Sequence, residues 1–122
     1  METIQFRYTI SEVAAVNNPG IYLFEVPPEY VLVLRHIGIR NQTTATCYFR
    51  FRGIKGAKTR ELCTIYQSNV NQGVQTILYA IVMPNEFLHL STTSVGSGDT
   101  YNVTISGELI ATDKVYQRDL SR

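Results

Sequence analysis

Two histidines, two cysteines and one close pair of glutamates are the groups whose chemistry has to be accounted for first. A hydrolase needs a nucleophile, a base and an orienting group that converge. His36 follows the alternation of Leu32 and Leu34, and His89 sits between Leu88 and Leu90. A strand histidine in such a setting is expected to satisfy a backbone carbonyl and not to act as a catalyst. Glu25 and Glu29 flank Pro27-Pro28 and are the nearest carboxylate pair along the chain. Paired carboxylates can run glycoside chemistry. A proline-braced turn, however, sits at the surface, where both would be solvated. No catalytic residue is assigned, and the expectation is a protein that is not an enzyme.

Cys47, Cys63 and the two histidines lack the paired spacing of a zinc site, so no metal or cofactor is expected. The N-terminal Met1-Glu2-Thr3 has no basic or apolar region of a signal peptide. Free, buried thiols are therefore favoured over a Cys47–Cys63 disulfide. Gly96-Ser97-Gly98-Asp99 has the glycines of a phosphate loop, but no Gly-Lys-Ser/Thr follows it. A β-turn is the expected structure, and Asp99 alone is weak support for calcium. Asn41-Gln42-Thr43 and Asn102-Val103-Thr104 match the glycosylation pattern and are read as chance matches in a chain without an export signal.

One charge feature stands apart. Arg50, Arg52, Lys55, Lys58 and Arg60 fall within eleven residues with no acid until Glu61, and Tyr48 and Phe51 are interleaved. Aromatics among cations can grip single-stranded nucleic acid. Alternation turns Phe51 inward and leaves only Tyr48 beside the arginines, so a nucleic-acid partner is not expected. A solvated strand face and a patch that docks an acidic surface are the two stronger readings. Tyr48, Arg50, Arg52, Lys55, Lys58 and Arg60 are thus the candidate partner-contact patch. The acids Glu25, Glu29, Glu86, Glu108 and Asp113 lie elsewhere, which leaves pairing between copies open.

These residues need elements to hold them, and the pattern is that of strands. The 122 residues amount to one domain, with 44% apolar and only 17% charged residues and a net charge of +1. Uncharged polar residues fill the difference, which suits broad contact with a partner because little charge is desolvated. No apolar run approaches the roughly 20 residues of a membrane helix, so no membrane partner is expected. Turn residues recur at Asn17–Gly20, Pro27-Pro28, Gly53 to Gly56, Asn71–Gly73, Pro84-Asn85 and Gly96–Asp99. Between them eight strands are predicted: 3–9, 20–26, 30–41, 44–53, 60–67, 74–83, 86–92 and 100–112. In the fourth, Cys47, Phe49 and Phe51 face inward and Tyr48, Arg50 and Arg52 outward. The sixth is so apolar in its second half that burial on both faces is expected. Only Ser11 to Val16 could begin a helix.

The predicted fold is all-β, an eight-stranded antiparallel sandwich of jelly-roll type over residues 1–112. An immunoglobulin-like sandwich fits the length, but the chain has no tryptophan and no widely spaced cysteine pair. Residues 113–122 form a polar tail that is either frayed or a contact arm, with Asp113, Lys114, Tyr116 and Arg118 as its candidate contacts.

Three segments carry a resemblance. They are IYLFEVPPEYVLVLRHIGIRN at 21–41, EFLHL at 86–90 and GDTYNVTISGELI at 98–110, roughly a third of the chain. A strand enters a Val-Pro turn, and a long apolar strand ends in Ile-x-Ile-x-Asn. A Gly-Asp later opens a strand that ends in Ser-Gly-Glu-Leu. This resembles the small single-jelly-roll virion proteins of tailed bacteriophages, which include capsid decoration proteins and tail or neck accessory proteins. Pro28-Glu29 stands where that group has a small residue and glycine, and Asn85-Glu86 where it has Gly-Glu. The resemblance implies a non-catalytic virion protein, commonly a homotrimer, partnered by the major capsid protein or another virion protein. It supplies no catalytic residues. A carbohydrate-binding jelly roll is the competing expectation, carried by the eight tyrosines.

Overall fold

The computed structural model describes residues 3–115. Eight strands follow in chain order: β1 (Thr3–Val13), β2 (Gly20–Glu25), β3 (Tyr30–Asn41), β4 (Cys47–Lys55), β5 (Lys58–Gln67), β6 (Val74–Val82), β7 (Phe87–Thr93) and β8 (Thr100–Ala111). They form two antiparallel four-stranded sheets. The first has the order β1-β8-β3-β6 and the second β2-β7-β4-β5. Every connection crosses between sheets except the β4–β5 hairpin. This is a jelly roll, as the strand count and turn spacing predict.

Period-two alternation explains which side chains meet. From β4, Cys47, Phe49 and Phe51 point between the sheets and are fully buried. From β8, Tyr101, Val103, Ile105 and Leu109 face them, and Phe49 and Tyr101 pack with ring centroids 6.0 Å apart. Leu32, Leu34, Ile37, Leu88 and Leu90 complete the same core. Truncating a buried phenylalanine of this kind costs about 3–5 kcal/mol.

Asparagine supplies much of the turn chemistry. Asn18, Asn71 and Asn85 adopt positive φ of 51°, 58° and 67°, each inside a turn that its local sequence marks. Gly56 (φ 59°) turns the β4–β5 hairpin. Gly107 serves packing. A β-carbon there would run into the carbonyl oxygen of Val33, where β3 bulges between Leu34 and His36.

Four expectations need correction. β6 is an edge strand and not a strand buried on both faces. Its inner face meets the second sheet but no layer covers its outer face, so Ile77, in register with His36, is 89% exposed. Ser11 does not open a helix, because pairing with β8 carries β1 on to Val13. β4 begins at Cys47 and not at Thr44, whose hydroxyl is drawn instead to Asp99. The segment expected as a polar tail opens with a one-turn helix, α1 (Thr112–Val115). That helix is far too short to cross a membrane.

Val31, Val33 and Ile110 form a second, small buried cluster on the outer face of the first sheet, with Ile81 packed against it. It lies on the opposite side of the sheet from the main core.

Candidate functional site

The residues singled out in the sequence fall into three groups. The first is internal. Asn41 ends β3, Gln67 ends β5, and both are fully buried. Gln67 Oε1 accepts from the Asn41 backbone N–H at 2.7 Å, and its Nε2 donates to the carbonyls of Asn41, Asn69 and Thr44. Asn41 Nδ2, Thr44 Oγ1 and the Gly96 N–H all donate to Asp99 Oδ2. Burial raises the Asp99 pKa, but these three donors outweigh it and hold the carboxyl below its ordinary value. Asp99 N–H also closes the expected turn on the Gly96 carbonyl at 3.0 Å. The Gly-Asp motif is therefore a lock on the loops, with its carboxylate turned inward. Asn41, the glycosylation-like asparagine, is buried in the same lock.

The second group is the basic run. Tyr48, Arg50 and Arg52 lie on the outer face of the second sheet, and Lys55 and Lys58 flank the hairpin turn. The arginines are matched by acids that linear distance concealed. Glu61 lies 3.5 Å from Arg50 Nε and 2.7 Å from Arg52 Nε. The short Arg52 contact is poorly aligned as a hydrogen bond, and that Nε–H has no other acceptor. Arg60 forks onto Glu86 at 2.8 and 2.6 Å, and its Nη2 also reaches the Ile81 carbonyl. Glu86 further accepts the Met83 N–H at 2.7 Å. The Arg60 hydrogen bond, opposed by burial, keeps the Glu86 carboxyl below its ordinary value. Arg60 thus braces the β6–β7 turn. What remains on the face is aromatic and polar. Tyr22, Tyr48 and Tyr66 are 61%, 41% and 44% exposed. The rings of Tyr48 and Tyr66 pair at 4.8 Å. Tyr22 packs edge-on against Phe87 and His89.

His89 lies in register between Tyr22 and Arg52. Its Nδ1 is buried and has no hydrogen-bond partner, so it does not satisfy a carbonyl as expected. Burial, then the charge of Arg52, lowers its pKa.

The third group stays apart. Glu25 and Glu29 are both exposed on their turn, as expected. Cys47 and Cys63 are free thiols, the first buried and the second half-buried. Cys47 pairs with Gln67 and Cys63 with Phe51, which separates the cysteines by four positions along the hairpin. Burial pushes both thiols up. Among the described residues, no three of His, Cys, Asp and Glu gather as a metal set. Asp113 is exposed in α1, and Lys114 belongs to the same turn. Tyr116 and Arg118 lie outside the described residues.

No protein-family model matches the chain, and no curated protein matches its sequence. Solved structures do match by shape. A chain from Bacillus endospore appendages, described as a family of disulfide-linked pili, aligns over 91% of this chain and 90% of its own length. Its TM-score is 0.61 at 12% identity. A chain of infectious bursal disease virus, Gt strain, aligns over 88% of this chain but only 32% of its own, with a TM-score of 0.50 at 14% identity. At such identities the likeness is one of fold: this chain is an eight-stranded jelly roll similar to those found in a pilus and in a virus.

Proposed function

We propose that this chain is a non-enzymatic structural subunit, and specifically a capsid decoration protein that binds the major capsid lattice of a virus. The observation that carries the reading is the outer face of the second sheet. It presents Tyr22, Tyr48 and Tyr66 around Arg50 and Arg52, which share the one carboxylate of Glu61. Such a face suits contact by area: aromatic anchors with little uncompensated charge to desolvate. It suits nucleic acid poorly, since Phe51 is fully buried and the arginines are engaged. The three segments that resemble phage decoration proteins, and the jelly rolls of the pilus and virus chains, support an assembly role. On this reading the protein acts in the virion as a homotrimer, and residues 1–112 form one domain with 113–122 as a contact arm.

The test is sedimentation of the purified protein with shells assembled from a tailed-phage major capsid protein, chosen from the genome that encodes this chain. Saturable co-pelleting is expected. A protein that stays in the supernatant at every shell concentration contradicts the proposal.

Carbohydrate binding is the second reading, favoured by one observation. The Tyr48–Tyr66 pair and Tyr22 lie on one face, about 16 Å apart by strand spacing. That separation would let one oligosaccharide stack on both. Retardation in an affinity gel containing a defined polysaccharide, abolished by Tyr48→Ala, would move the assignment to this reading.

A further inference from the structure

The outer face of the first sheet holds a trough that the reading above does not use. Register places Arg7, Ser106 and His36 in one row across β1, β8 and β3. Thr9, Thr104 and Gly38 form the next row, and Ser11, Asn102 and Arg40 the third. Gly38 has no side chain, and the Thr104 hydroxyl and Gln75 amide close over it; two adjoining hollows of about 200 and 340 Å³ open beside them. Thr104 lines both. Arg40 bounds one hollow and Arg7 the other. The lining between them is hydroxyl and amide, rich in donors. Among the described residues no acid lines either hollow.

The charges on this face are unequal in their partners. Glu108, the nearby carboxylate, is engaged by Arg35, whose guanidinium also stacks over Tyr79. Neither Arg7 nor Arg40 has an ion-pair partner among the described residues. The trough is therefore a hydrogen-bonding surface with an arginine at each end that no described acid pairs. That is the complement of a pair of carboxylates.

The same chain presents such a pair. Glu25 and Glu29 are exposed and likewise have no ion-pair partner among the described residues. Their turn is rigid. Pro27-Pro28 stiffens it, and Val26 N–H, Tyr30 N–H and the Glu29 carbonyl are all hydrogen-bonded. A preformed turn loses little freedom when it docks. It lies at one end of the sandwich, and the trough lies on a broad face, so the two cannot meet within one molecule.

We propose that the trough receives the Glu25–Glu29 turn of a second copy, with Arg7 and Arg40 holding its two carboxylates. The contact is head-to-tail. It closes into a ring when the rotation between copies allows and otherwise extends as a filament. It does not depend on a capsid partner, so it can stand or fall apart from the proposed function.

The test is charge exchange read by analytical ultracentrifugation at low and high salt. Wild-type protein is expected to self-associate and to dissociate as salt screens the contact. R7E/R40E has an acidic turn facing an acidic trough, and E25K/E29K has a basic turn facing a basic trough. Each alone is expected to be monomeric. Mixed in equal amounts, each contact between unlike variants joins opposite charges, and association is expected to return as alternating chains or even-membered rings. All four positions are exposed, and a thermal melt matching wild type verifies that each variant is folded. Should a double reversal unfold the chain, R7Q/R40Q and E25Q/E29Q are expected to weaken association at least tenfold. A wild type that is monomeric at low salt, a variant that associates as wild type does, or a mixture that stays monomeric overturns the proposal.

Discussion

Asn41 Nδ2 donates to Asp99 Oδ2 at 3.1 Å across a sequence separation of 58 residues. The contact ties the end of β3 to the turn before β8, and Asn41 is also held by Gln67 from the end of β5. Asn41→Ala keeps the backbone bonds to Gln67 but removes the side-chain partner of Asp99 and the acceptor of the Thr43 and Thr44 N–H groups. An unsatisfied buried polar group costs about 1–3 kcal/mol. The expected loss in urea unfolding is about 3 kcal/mol. Asn41→Asp is expected to cost more, because it sets a second carboxylate against Asp99.

Acid should act through Glu86. Its folded-state pKa lies below the ordinary 4.5, chiefly through the hydrogen bond from Arg60. A depressed carboxyl stabilises the fold fully above the unfolded-state value and loses that contribution as pH falls through the folded-state value. Wild type is therefore expected to lose stability steeply below about pH 4.5, with Asp99 adding to the slope. Glu86→Gln should flatten this limb while lowering stability at pH 7. Thermal melts from pH 7 to pH 3 measure both.

His89 predicts a second pH effect at higher values. Its pKa lies below 6.5 because burial disfavours the charged ring. The neutral ring is thus the folded form, and stability falls as pH drops below the ordinary value. His89→Phe keeps the ring against Tyr22 and removes the partnerless Nδ1. It is expected to leave stability at pH 7 unchanged or up to about 1 kcal/mol higher, with a larger advantage at pH 5.

Two glycines should respond differently to alanine. Gly107→Ala drives a methyl group into the β3 backbone at Val33 and is expected to cost about 3 kcal/mol. Gly56→Ala meets open space, and only its positive φ opposes it, so about 1 kcal/mol is expected. Equal costs in chemical denaturation would contradict the packing account of Gly107.

Much of the fold was legible because alternation and turn residues act locally. Cys47, Phe49 and Phe51 declared the inner face of β4, and Asn18, Asn71 and Asn85 declared turns. The neighbours of β6 were not legible. An apolar run does not say whether a strand is central or at an edge, and Ile77 ended exposed. The three segments behind the resemblance hold Asn41, Glu86 and Asp99, which are three of the buried polar residues. Those motifs are a signal for loop locks, which explains why they point to a fold more sharply than to a site. Their partners Gln67 and Arg60 had no local signature. Arg60 looked like part of a patch until the fold brought Glu86 to it.

The central claim is that the aromatic face of the second sheet joins this protein to a larger shell. The most direct measurement is co-sedimentation with shells of a major capsid protein from the genome that encodes this chain, comparing wild type with Tyr48→Ala/Tyr66→Ala. Both tyrosines are substantially exposed, so the variant is expected to fold as wild type does. The account predicts saturable binding by wild type and at least a tenfold weaker affinity for the variant. Undiminished binding by the folded variant, or no binding by wild type, would contradict it.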